Sequence, residues 1–72
     1  MPLTLSPWGQ QATVREVRGK DESRKFLANL GFVPGAAVMV VSELSGNLIV
    51  SVKDTRVALS KAMANRIFVE LS

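Results

Sequence analysis

The sequence contains no cysteine, no histidine and no tyrosine. Without cysteine there is no disulfide framework, no zinc–thiolate site and no thiol nucleophile. Without histidine the chain lacks the commonest metal ligand and the commonest general base at neutral pH. The missing tyrosine, beside a single tryptophan, argues against the aromatic groove that proline-rich peptides require. The longest apolar run, Gly35 to Val41, falls far short of the roughly 20 residues that cross a bilayer. The N-terminal residues Met1 to Ser6 carry neither a basic segment nor a long apolar one, so no secretory signal is read there. A cytoplasmic protein that does not enter the membrane is expected.

What remains is a chain of 72 residues, of which 47% are hydrophobic. That length predicts one domain spanning residues 1–72. It predicts modest stability, because a chain this short buries only about 60% of its unfolded surface. Nine Lys and Arg against six Asp and Glu leave a net charge of +3. The cations are spread along the sequence and interrupted by acids, giving two readings: a solvated mixed surface or an anion-binding face.

The pattern is organised around Lys25 to Gly35. Phe26, Leu27 and Leu30 mark an apolar helix face, with Asp21, Glu22 and Ser23 at its start. Gly31 supplies the left-handed stop, Phe32 is placed to pack back on Leu27, and Pro34-Gly35 has the chemistry of a type II turn. A first strand is expected over Ala12 to Arg18. Its apolar alternation slips between Val14 and Val17, which predicts a bulge or strong bend. Ala37 to Glu43 and Leu48 to Lys53 read as a hairpin turned at Leu44 to Asn47. A turn at Lys53 to Thr55 leads to a short strand, Arg56 to Leu59. Ser60 then caps a short helix from Lys61 to Arg66, and Ile67 to Leu71 forms the last strand. Leu3 to Gln11 is a lead-in, with Trp8 expected as a lid on one end of the core. Together these elements predict a mainly β fold: a small SH3-like antiparallel barrel of five strands, with one helix after strand 1 and a short helix before the last strand.

Catalytic chemistry has little to stand on. Serine and threonine lack a histidine partner, and the carboxylates Glu16, Glu70, Asp21 and Glu22 sit on expected solvent faces or at a helix start. No enzyme, no cofactor and no dedicated metal site is read. The glycines fall at element ends rather than in a phosphate loop. The unusual feature is a second apolar face on the second strand, Met39 and Val41, continued by Leu44 and Ile49. Core packing and an exposed protein-binding patch both account for it.

Arg24, then Phe26-Leu27-x-x-Leu30-Gly31-Phe32-x-Pro34-Gly35, then Val38-x-Val40 form a specific run. A second run is Val57-Ala58-Leu59 followed by Ala64-x-x-Ile67-x-Val69, with Gly9 and Val14 fitting the opening. From about Leu5 to Glu70 the chain resembles the FeoA family of small cytosolic ferrous-iron transport accessory proteins. It departs in a short hairpin loop at Leu44 to Asn47, in Asp54 where glycine is common, and in Trp8-Gly9 for the frequent Pro-Gly. The resemblance implies an SH3-like barrel working with FeoB, a membrane ferrous-iron transporter with a cytosolic GTP-binding domain. The runner-up readings are an isolated SH3-like domain of the iron-dependent repressor type and a small nucleic-acid-binding barrel. The expected partner-contact residues are Arg24, Lys25, Met39, Val41, Leu44 and Arg56, with Arg24 or Arg56 the candidate for an arginine supplied to a GTPase.

Overall fold

The computed structural model describes residues 1–72. Five strands are present, β1 Gln11–Val17, β2 Ala37–Leu44, β3 Asn47–Val52, β4 Thr55–Ser60 and β5 Ile67–Leu71. Helix α1, Asp21–Leu30, follows β1, and the short α2, Lys61–Ala64, precedes β5. All neighbours are antiparallel, in the order β4-β3-β2-β1-β5. The expected mainly β architecture is therefore the observed one, including both helices.

Helix α1 ends as its sequence predicts. Gly31 takes φ 109°, a left-handed conformation that costs a residue with a Cβ but not glycine. Its N–H donates to the Ala28 carbonyl at 2.9 Å, and the Phe32 N–H to the Leu27 carbonyl at 3.0 Å. These two bonds satisfy carbonyls that the helix end would otherwise orphan. Leu27 and Phe32 are both fully buried in the same core cluster. The chain then turns tightly, with the Ala36 N–H bonded to the Val33 carbonyl at 3.0 Å and Gly35 at φ 92°. That turn is stitched to β1: the Gly35 N–H reaches the Val14 carbonyl at 2.8 Å, and the Val14 N–H reaches the Ala36 carbonyl at 2.9 Å.

Two bulges bend the sheet. On β1 the register against β5 shifts between Val14 and Glu16, where the apolar alternation slips. On β2 the register against β3 shifts between Val40 and Ser42. The sequence does not announce this second bulge, because Val40 and Val41 are equally apolar and no period is visibly broken. Both β2–β3 and β3–β4 close through two-residue turns with positive φ at each central residue, Ser45-Gly46 and Lys53-Asp54. Such turns match the right-handed twist of the strands they join.

The core holds 14 buried side chains, drawn from every strand, both helices, Phe32 and Leu3. Leu3 belongs to a single 3-10 turn, Leu3–Leu5, that the lead-in pattern did not predict. Ser60 caps α2 by accepting the Met63 N–H at 3.2 Å. Two expectations are corrected here. Phe26 is 51% exposed, because α1 is seated through Leu27 with Leu30 only half-buried. Trp8 is 58% exposed and covers no core.

Gly31 leaves little room for a side chain. A Cβ there would meet Lys53 Cδ at 3.1 Å and Val52 Cγ2 at 3.2 Å in addition to the strained φ. Gly31→Ala should destabilise the protein by roughly 1–2 kcal/mol or more. Urea denaturation checks this as a lowered midpoint with an unchanged slope.

Candidate partner-binding surface

The sheet has one face over the core and one outward. Strand pairing brings Gln11, Met39, Ser51 and Arg56 into one cross-strand row on the outward face. Successive side chains alternate between faces, so Val38 and Val40 are buried while Met39 is half-buried. The next outward row joins Ser42, Ile49 and Ala58. Val41 is the extra residue of the β2 bulge and has no partner opposite it on β3. Leu44 stands at the hairpin end, 68% exposed. Met39, Val41, Ile49 and Leu44 thus lie along one strip from mid-sheet to the hairpin.

A groove of 620 Å³ borders this strip, lined by Gln11, Pro34, Ala37, Met39, Ser51 and Lys53 among others. A second groove, of 530 Å³, runs along α1 and includes Glu16, Asp21, Arg24, Lys25 and Ala28. Val33 and Pro34 wall both grooves. The expected contact residues therefore fall on two surfaces that meet at Pro34. Met39, Val41, Leu44 and Arg56 share the outer sheet face, and Arg24 and Lys25 line the helix groove.

Trp8 is a surface residue rather than the lid its size suggests. The Gly9 N–H donates to the Val40 carbonyl at 2.8 Å, which pins the turn carrying Trp8 beside the β2 bulge. A lone tryptophan flanked by Pro7 and Gly9 is held in a turn, and a turn is rarely buried. That was the available signal.

The dispersed charge resolves once ion pairs are placed. Arg15–Glu70 (3.5 Å), Arg18–Glu16 (2.9 Å), Lys61–Glu43 (3.3 Å) and Arg24–Asp21 are the salt bridges. Lys20, Lys25, Lys53, Arg56 and Arg66 make none. Arg66 packs over Gly19, where a Cβ would fall 2.5 Å from its guanidinium. Among the expected contacts, Lys25 and Arg56 are thus the cations without an acidic partner, while Arg24 is held by Asp21. No three His, Cys, Asp or Glu side chains converge where they could hold a metal ion.

Arg18 donates from Nε at 2.9 Å to Glu16, one of the residues lining the helix groove, and lies 4.0 Å over the Phe68 ring. The hydrogen bond from Arg18, and then its charge, hold the Glu16 carboxyl below the usual carboxylate range. A lowered folded pKa means the pair stabilises the fold above the unfolded value and loses that contribution as pH falls through the folded one. An NMR titration should show Glu16 protonating at unusually low pH. In Arg18→Ala its midpoint should move up toward the ordinary range.

Comparison with curated protein sequences returns no match. The family model described as FeoA domain matches residues 1–71. An iron uptake regulatory protein, FeoA, is 29% identical with a TM-score of 0.91, covering 100% of this chain and 97% of that one. FeoA of Stenotrophomonas maltophilia complexed with zinc, described as an SH3 domain protein, is 33% identical with a TM-score of 0.85, covering 97% and 89%. T. acidophilum IdeR, 20% identical over 100% of this chain and 34% of its own, with a TM-score of 0.88, shares the fold. No helix of this chain is long and apolar enough to cross a membrane. The chain belongs to the FeoA family, small accessory domains associated with ferrous iron transport.

Proposed function

We propose that this protein assists ferrous iron uptake from the cytosolic side by docking on FeoB, through protein contact and without catalysis of its own. The observation that carries this reading is the outward strip of Met39, Val41, Ile49 and Leu44, beside the unpaired Arg56. A contiguous apolar strip with a cation at its margin has the anatomy of a docking site, an apolar centre with a polar rim. Methionine at its middle adapts to a partner surface at low cost. Arg24 and Lys25 extend the contact around Pro34 into the helix groove.

The mechanism follows from differential affinity. A bound accessory domain shifts its partner's conformational equilibrium only by the ratio of its affinities for the two states. A tenfold preference for one nucleotide state corresponds to about 1.4 kcal/mol. A strip of few residues is well matched to a preference of that size.

The test is binding to the cytosolic GTP-binding domain from the same cell, by calorimetry, with and without GTP. Nucleotide-dependent binding is expected. Met39→Ala and Val41→Ala should each weaken it by about tenfold, as for moderately important interface residues, while melting temperature changes little because both side chains are half-buried. No binding to the domain or to the whole transporter, together with a salt-sensitive shift of RNA or DNA, would replace this reading with a nucleic-acid one. Strong destabilisation by either substitution would show that the strip is core.

A further inference from the structure

The sheet has two ends, and the chain treats them differently. Beyond β5 the N-terminal residues lie alongside the last strand. Pro2 bridges to Phe68, the Val69 N–H donates to the Met1 carbonyl at 2.8 Å, and the Met1 amino group donates to the Val69 carbonyl at 3.0 Å. Beyond β4 there is no strand at all. Its register against β3 shows which backbone groups are left over. The two-residue turn makes Val52 and Thr55 a hydrogen-bonded pair, and bonded and non-bonded pairs alternate from there. Val57 and Leu59 therefore bond to β3, whereas the N–H and C=O of Arg56 and Ala58 point away from the sheet. No turn or loop bond takes them up.

Natural edges are blunted by charged side chains, and more firmly by a bulge, a proline or a covering segment. β4 carries the charge of Arg56, which deters like-charged strands but not an acidic one, and lacks the three firmer devices. It pairs with β3 in unbroken register over its whole length. Arg56 and Ala58 are exposed, and Val57 is half-buried at the margin of the core. Arg56 makes no ion pair, and neither does Lys53 in the adjoining turn. The nearby acids are Asp54 in that turn and Glu43, which is held by Lys61.

We propose that the open edge of β4 receives an extended acidic peptide segment as a sixth strand. Main-chain bonds to Arg56 and Ala58 would supply affinity, and alternate side chains would supply selectivity. On the outer face a carboxylate opposite Arg56 finds its charge complement. On the other face an apolar residue covers Val57. The segment thus alternates acidic and apolar positions. A second copy of this chain fits less well, since it would bring cations rather than acids to the same seam. The edge is a different surface from the strip of Met39, Val41 and Leu44, although Arg56 borders both, and it does not depend on FeoB being the partner.

The experiment uses the full chain, isotopically labelled, titrated with a blocked peptide of alternating glutamate and valine. Amide shifts should concentrate on Arg56 to Ser60, and exchange of the Arg56 and Ala58 amides should slow. Ala58→Pro removes the outward donor without touching the ladder to β3, since an edge strand tolerates proline at such a position. It should abolish binding in a protein that stays folded. Arg56→Glu gives an independent reading: the glutamate peptide should bind at least about tenfold more weakly, and a lysine–valine peptide should bind instead. Undiminished binding in both variants would overturn the proposal. So would shifts confined to Met39, Val41 and Leu44, or concentration-dependent shifts of the β4 amides without peptide, which would assign the edge to a second copy.

Discussion

The left-handed residue at Gly31 is the constraint from which the rest of the molecule takes its geometry. It ends α1 with two backbone bonds, to Ala28 and Leu27, and in the same step drives Phe32 into the core beside Leu27. Four residues later the chain is tied to β1 at Val14 by two further bonds. Each such bond contributes only about 1 kcal/mol net. A small domain has total stability of only about 5–15 kcal/mol, however, so this cluster of contacts decides where helix and sheet meet. The same geometry leaves Val33 and Pro34 as the ridge between the two grooves.

The bulges convert this local anchoring into a surface. Bending at Val14 and at Val40 curls the sheet around its aliphatic core. A bulge also carries an extra residue that cannot pair across the strand. On β2 that residue is Val41, and the Gly9 backbone bond to Val40 fixes the Trp8 turn next to it. Val41's place in the apolar strip is therefore a by-product of how the sheet bends over its core, while Met39, Ile49 and Leu44 reach it in regular register.

How much of this was legible depends on whether a side chain's role leaves a period or a forced conformation behind. The β1 bulge could be read because Ala12, Val14 and Val17 break alternation; the β2 bulge could not, because Val40-Val41 breaks nothing. The Gly31 stop and the Pro34-Gly35 turn were readable because few residues tolerate those φ values. Phe26 was misread because helical spacing identifies an apolar stripe but not which of its members faces the core. Trp8 was misread because its size suggested burial, while its placement depends on a bond from Gly9 to a strand distant in sequence. Of the contact residues, Met39 and Arg56 come together through strand pairing. Arg24 and Lys25 lie on α1, a placement that one-dimensional spacing could give without saying which groove the helix lines.

Charge supplies the last step. Exposed ion pairs such as Arg15–Glu70 and Lys61–Glu43 contribute little to stability. Their larger effect here is to neutralise part of a basic surface and leave specific cations unspent. A net charge of +3 spread over the sequence looks unselective, but once the pairs form, five cations stand without acidic partners: Lys20, Lys25 and Arg66, and the pair Lys53 and Arg56 at the β3–β4 end. A partner's carboxylates would be desolvated against those positions in preference to the paired ones, where an existing bond must first be broken. Dispersed charge in the sequence thus becomes a smaller set of free cations in the fold, two of which, Lys53 and Arg56, flank the open edge of β4.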